Sequence, residues 1–425
     1  MKSFLPKAST LLRFKSIVVF LSILMESCLA QCRLPEVEIT SSDTVDYAFI
    51  HQEENILENS ETLSPLFNKM FLQRSEGGHT ISIVHIGDSH ILGDYLTGEV
   101  RERIQREFGN AGRGLLFPYK LAQSNGPKDY VVETNCRWVG SSCPKDRTAE
   151  TNFGVSGFRL ETNNVKGILT LKLRNHPPSE VPLFTKVTIF QKKNTAECDL
   201  VVRDNTTSQI AKPFIADEFS STYFFDKSVD QVTIAAQKNN HKQTKITIDG
   251  VSFENEQGGV IYHSIGVNGA KFTDFARAGH FARQVADLEP DLVILSFGTN
   301  EGQGKTYDAQ MRQTMNNLTS KILESCPTTI ILMTTPADSY LRGKGNNPYL
   351  NEMSKLIRTF ALEKGFALWD LHLLTGGENS AVFWKQNNLL ASDAVHYSKS
   401  GYMVQGKLLF QAIIKAYNNF IETKQ

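Results

Sequence analysis

Asp291-Leu-Val-Ile-Leu-Ser-Phe297, followed at once by Gly298-Thr-Asn-Glu301, is the stretch on which the fold turns. The run is continuously apolar, too short for a core helix, and lacks the polar alternation of a half-wet strand. That pattern belongs to a strand covered on both faces, as in a parallel sheet. Downstream, the spacing predicts a helix over Tyr307 to Glu324, a strand at Thr329 to Met333, and a helix over Asn351 to Glu363. A strand at Phe366 to Leu371 and an amphipathic helix from Ser400 to Ile421 follow. Upstream, Gly259-Val-Ile-Tyr-His-Ser-Ile265 is a strand and Phe272 to Leu288 a helix. Near the start lie a helix at Leu63 to Arg74, a strand Thr80-Ile-Ser-Ile-Val-His-Ile86 and a helix over Asp94 to Phe108. Strands alternating with helices imply an α/β fold with a doubly wound parallel sheet.

Between these parts the rhythm changes. From about Ala122 to Glu256 the ordered segments are short strands, such as Gly167 to Leu173, Lys186 to Phe190, Gln231 to Ala235 and Lys245 to Ile248. Asn, Asp, Gly and Pro separate them, as in an all-β sandwich of roughly 130 residues inserted after the first βα unit. The 425-residue length suits two or three such units.

Composition narrows the function. Forty-five basic residues balance forty-five acidic ones, which argues against a nucleic-acid protein held by a broad basic field. After the N-terminal region no stretch approaches the roughly 18 apolar residues of a membrane span, so no integral membrane domain is expected. Lys2, Lys7, Arg13 and Lys15 precede the apolar run Ile17 to Met25, and Ser27-Cys28-Leu29-Ala30 follows. This is the pattern of a secretory signal peptide over residues 1–30, cut after Ala30. Leu29-Ala30-Gln31-Cys32 loosely resembles a lipobox, so a lipid anchor at Cys32 is a variant of the same reading. Among the remaining cysteines, Cys136 and Cys143 are the best candidates for a disulfide. No spacing reads as a zinc site, and no metal is assigned.

Four short segments can carry chemistry. Ile86-Gly87-Asp88-Ser89-His90 follows the first strand, so Ser89 faces the carboxyl-end cleft of the sheet, although a serine there is often only a helix cap. Gly266-Val267-Asn268-Gly269-Ala270 offers an unhindered backbone N–H at the end of the next strand, or an ordinary turn. Gly298-Thr299-Asn300-Glu301 places a carboxamide donor after the buried run, or an Asx turn. Asp393-Ala394-Val395-His396 sets a carboxylate three residues from an imidazole, the arrangement that fixes a tautomer and stabilises an imidazolium. Together they supply a nucleophile, oxyanion donors, a base and its orienting acid, the inventory for acyl transfer.

In these four blocks the sequence resembles the SGNH hydrolases, also called GDSL-type esterases. The resemblance implies a flavodoxin-like SGNH fold with Ser89 as nucleophile, His396 as base and Asp393 as its partner. It further implies an oxyanion hole made by the Ser89 amide, Gly269 and Asn300. Gly269 fits better than Gly266, because the family's glycine follows a short polar residue and precedes the helix. Two departures are informative. His90 replaces the common leucine, within Gly-Asp-Ser-His-x-x-Gly-Asp94, and Ser89 and Gly269 stand 180 positions apart. Both are similar to the branch containing bacterial peptidoglycan O-acetylesterases, where a carbohydrate-binding-module-like sandwich separates the first two blocks.

The expected organisation is a hydrolase domain over 31–121 and 257–425, interrupted by the β-sandwich at 122–256. The implied activity is that of a serine esterase removing O-acetyl groups from peptidoglycan or another extracellular polysaccharide through an acetyl-serine, with no cofactor. A monomer in the periplasm or secreted, with an acetylated glycan as partner, is the corresponding expectation. A lipid or thioester acyl hydrolase on the same fold, and a glycan-binding protein with a vestigial site, are the alternatives. Trp138, Tyr223, Phe224 and Phe225 are candidates to stack on sugars, against the blander reading that they are core.

Overall fold

The computed structural model describes residues 47–174 and 183–423; the segment read as a signal peptide, and Cys32, lie outside the described residues. Its central sheet has five parallel strands in the order Gly259–Gly266, Thr80–Gly87, Leu292–Ser296, Ile330–Thr334, Ala367–Trp369. In chain order this is 2-1-3-4-5, the doubly wound α/β arrangement expected. The winding reverses beside Thr80–Gly87, so the carboxyl end of that strand opens onto the crevice where such sheets bind ligands.

Both sheet faces are covered. Ile81 and Ile83 point to a core shared with the helices Ser64–Ser75, Tyr95–Phe108 and Lys399–Glu422. Val84 and Ile86 point to a second core, shared with the helices Asp308–Ser325 and Pro348–Glu363. That second core runs on without a break into the antiparallel strands, through Leu169, Leu171, Val187 and Ile189. Among the described residues no helix is long and apolar enough to cross a membrane.

Between the first two strands of the parallel sheet the chain builds antiparallel sheets. The largest runs Gly114–Leu116, Gly250–Glu254, Phe184–Phe190, Ser220–Val229, Lys212–Ala216. A four-stranded sheet joins Tyr130–Thr134, Ile168–Leu173, Gln231–Gln237 and Asp199–Arg203. Gly114–Leu116 had no strand signature of its own; it pairs with Gly250–Glu254, at the far end of the β region.

A buried ionic cluster stitches this region to the parallel sheet. The Arg113 guanidinium donates to Asp94 Oδ2 at 3.0 Å and to both carboxylate oxygens of Asp129, and Arg101 also donates to Asp94. Burial pushes the Asp94 carboxyl up, but the Arg101 and Arg113 charges outweigh it and hold it at about 2.

Two expectations are corrected by tertiary contacts, and the aromatic residues left open between sugar stacking and core are resolved. The helix expected over Phe272 to Leu288 is two pieces, Phe272–Ala276 and Phe281–Ala286. It breaks where Thr151 pairs with the backbone of Arg277 and Gly279, and Phe153 O accepts from the His280 amide at 3.2 Å. Cys136 and Cys143 are both free thiols. The extended strand Val139–Ser142 lies between them and carries their ends apart, leaving Cys143 buried and Cys136 Sγ 3.8 Å from Thr162 Oγ1. Trp138, Tyr223 and Phe225 are core residues, with Trp138 Nε1 donating to Thr134 Oγ1 and the Tyr223 hydroxyl to Leu200 O. Phe224 is half-buried, edge-on to the exposed Phe214.

Candidate active site

Ser89 opens a one-turn helix, Ser89–Leu92, immediately after the first sheet strand. Asp88 caps that turn: its Oδ1 accepts from the His90 amide at 2.9 Å. Gly87 and Gly266 are required by close approach. A Cβ on Gly87 would sit 2.5 Å from Ser296 O, and one on Gly266 would sit 2.2 Å from the Leu92 amide nitrogen. Those contacts press the Ser89 turn onto the neighbouring strands.

Asp393 and His396 come from a tight turn ahead of the C-terminal helix, with Ala394 left-handed at φ 57°. Asp393 Oδ1 accepts from the Val395 and His396 amides, each at 2.9 Å, and Oδ2 lies 2.7 Å from His396 Nδ1. Partial burial pushes the Asp393 carboxyl up, but these hydrogen bonds from His396 and Val395 prevail and hold it at about 2. An ionised carboxylate only accepts, so Nδ1 carries the imidazole proton and Nε2 is left with its lone pair. His396 Nε2 is 2.8 Å from Ser89 Oγ, across 307 positions of sequence. Ser89, His396 and Asp393 thus form one hydrogen-bonded chain.

On the other side of Ser89 the chemistry is buried. Asn300 Nδ2 donates to Asp88 Oδ2 at 3.0 Å and to Ala270 O at 3.1 Å, committing both amide hydrogens. Glu301 accepts from the Phe272 amide at 2.8 Å and the Gly298 amide at 3.1 Å, tying the loops that follow the second and third sheet strands. Burial raises the Asp88 and Glu301 carboxyls to about 7 each. Gly269 has φ 73°, and a Cβ there would meet nothing within 4 Å, so its backbone faces open space where Gly266 faces packed atoms.

Further side chains border these residues. His90 Nδ1 lies 3.1 Å from the Tyr402 hydroxyl, and its ring centroid is 5.2 Å from that of His396. Burial, then the nearby His396, lowers His90 to about 3, so a neutral ring borders the imidazole. Beneath the site, His85 links the Tyr262 hydroxyl at 2.7 Å to Ser296 Oγ at 2.6 Å. The sequence marked His90 as a departure within Gly-Asp-Ser-His, whereas His85 carried no signal of its own.

Residues 251–404 match the model of the GDSL-like Lipase/Acylhydrolase family, a span that includes Gly269, Asn300, Asp393 and His396. The chain carries a GDSL-like acylhydrolase domain. That match supports an ester hydrolase. Among solved structures, the chain is similar to one described as "Peptidoglycan O-acetylesterase in action, 5 min", with a TM-score of 0.71 and 23% identity over 85% of this chain and 99% of that one. This likeness extends the shared fold well beyond the GDSL-like domain into the antiparallel region. Smaller likenesses are to a lipase/acylhydrolase from Enterococcus faecalis, with 18% identity over 37% of this chain and 77% of that one and a TM-score of 0.30. Another is to a family two carbohydrate esterase from Cellvibrio japonicus, with 12% identity over 68% and 99% and a TM-score of 0.28. No curated protein sequence matches.

Proposed function

We propose that this protein is an exported serine esterase that removes acetyl groups from the hydroxyls of peptidoglycan. The observation that carries the mechanism is the chain from Asp393 through His396 to Ser89 Oγ, with links of 2.7 and 2.8 Å. In this reading His396 Nε2 takes the Ser89 proton as Oγ attacks the acetyl carbonyl, and Asp393 stabilises the imidazolium. The C–O bond to the sugar breaks as His396 returns the proton to the departing hydroxyl. Water then attacks the acetyl-serine by the same steps, releasing acetate.

The oxyanion is held by the Ser89 and Gly269 amides and by Asn300 Nδ2. The latter reaches it by exchanging the neutral Ala270 carbonyl for a charged oxygen, a stronger acceptor. The choice of peptidoglycan is supported by the likeness to the O-acetylesterase structure over 85% of the chain, and by the basic and apolar leader read from Lys2 to Ala30. We assign residues 122–256 to the inserted carbohydrate-binding-module-like domain, with hydrolase segments on either side.

An acyl-chain series of aryl esters tests the acetyl assignment. Turnover falling steeply from acetyl to butyryl and octanoyl is the expected result. Turnover rising toward octanoyl would move the protein to lipid or thioester hydrolysis.

A further inference from the structure

The antiparallel region touches the glycine loop itself. Asn268 Nδ2 donates to Asn125 Oδ1 at 2.7 Å and to Ser124 Oγ at 3.3 Å, joining residues 143 and 144 positions apart. The segment that carries these acceptors is held firmly. The Ser124 amide donates to Tyr119 O at 3.0 Å, and Gln123 is left-handed at φ 54°. The backbone at Gly126 lies across the Tyr119 ring, so close that a Cβ there would sit 2.5 Å from a ring carbon. Tyr119 is buried and packs edge-on against Phe117 and Phe158. The Arg113 cluster described above anchors the same segment from its other end, at Asp129.

The turn that receives this contact has a specific weakness. The Ala270 amide donates to Val267 O at 3.1 Å, Gly269 has φ 73°, and Asn268 has no positive φ. That is the pattern of a type II turn with Asn268 and Gly269 at its centre. The N–H of Gly269 belongs to the peptide between those two residues. Types I and II differ by a flip of that peptide, which reverses the N–H, and glycine tolerates both forms. Nothing in the glycine itself therefore holds the donor in one orientation.

We infer that Asn125 and Ser124, through the side chain of Asn268, lock this turn and so fix the Gly269 N–H as an oxyanion donor. The inference rests on the oxyanion role given to Gly269 above. Asn268 and Asn125 are positioning residues: they act through the turn. The antiparallel region would then serve turnover of every ester, including those too small to reach its surface.

The test is steady-state hydrolysis of a small aryl acetate by the full chain and its Asn125→Ala, Asn268→Ala and doubly substituted forms. The expected result is a kcat about tenfold lower with KM unchanged, the scale of one neutral hydrogen bond. The double variant should lose no more than either single one. Asn125→Asp, which still accepts from Asn268, should restore turnover. Both asparagines are exposed, and an unaltered thermal midpoint in each variant verifies that folding is intact. Parental kcat in Asn125→Ala and Asn268→Ala, or a change confined to KM, overturns the lock while leaving the esterase reading in place. Undiminished hydrolysis by Ser89→Ala in the same assay overturns that reading instead.

Discussion

Two carboxylates flank Ser89, and their surroundings give them opposite tasks. Asp393 stands in an open turn, satisfied by two amides and an imidazole, and is held ionised at about 2. Asp88 is buried one residue from the nucleophile and is pushed to about 7. The open carboxylate orients a base; the buried one caps the Ser89 turn and steadies Asn300. The lesson is that sequence proximity to a nucleophile does not assign a role. Solvation and hydrogen bonding do.

Substitutions separate the two sides by size of effect. Ser89→Ala or His396→Ala should lower kcat by at least ~10⁴-fold, since the chain acts as a unit. Asp393→Asn keeps the shape but lets the amide donate, favouring the wrong imidazole tautomer. A loss of about 10⁴-fold is expected, measured on an aryl acetate. A loss below about tenfold would remove Asp393 from the open side's task. Asn300→Ala should cost about 100- to 1000-fold in kcat with little change in KM, as for one oxyanion donor. Unchanged turnover would leave Asn300 as a strut between Asp88 and Ala270.

The smallest effect sharpens the comparison through pH. A free Asp titrates near 4, whereas Asp88 in the fold titrates at about 7. Between these values the folded protein retains a proton that the unfolded chain has released, so Asp88 makes stability fall as pH rises from 4 to 7. Each pH unit in that window costs at most about 1.4 kcal/mol. Asp393 works in the other direction: its contribution is present above pH 4 and is lost as pH falls through about 2. Denaturant unfolding of Asp88→Asn should show a flatter decline than the parent across pH 4 to 7. A parallel decline would mean that Asp88 is ionised in the fold throughout.

The sheet strands and the short motifs that hold Ser89, Asp393 and His396 were legible because each rests on local sequence, and the resemblance to a family grouped those motifs into one site. Short, largely apolar runs mark the parallel strands, and Ser89, Asp393 and His396 each sit in a short motif. What escaped depends on distant pairing. The break at Arg277 to His280 is imposed by Thr151 and Phe153, and the strand Gly114–Leu116 exists because Gly250–Glu254 lies beside it. Asn268 and Asn125 meet across 143 positions with no periodicity to announce them. The aromatic residues Trp138, Tyr223 and Phe225 were ambiguous because stacking on sugar and packing in a core use the same side chains.

The most direct measurement is acetate release from O-acetylated peptidoglycan by the mature protein beside its Ser89→Ala variant. Release by the parent and none by the variant is the predicted result. Equal release by both, or none by a parent that still hydrolyses aryl acetate, would contradict the assignment of this site to peptidoglycan de-O-acetylation.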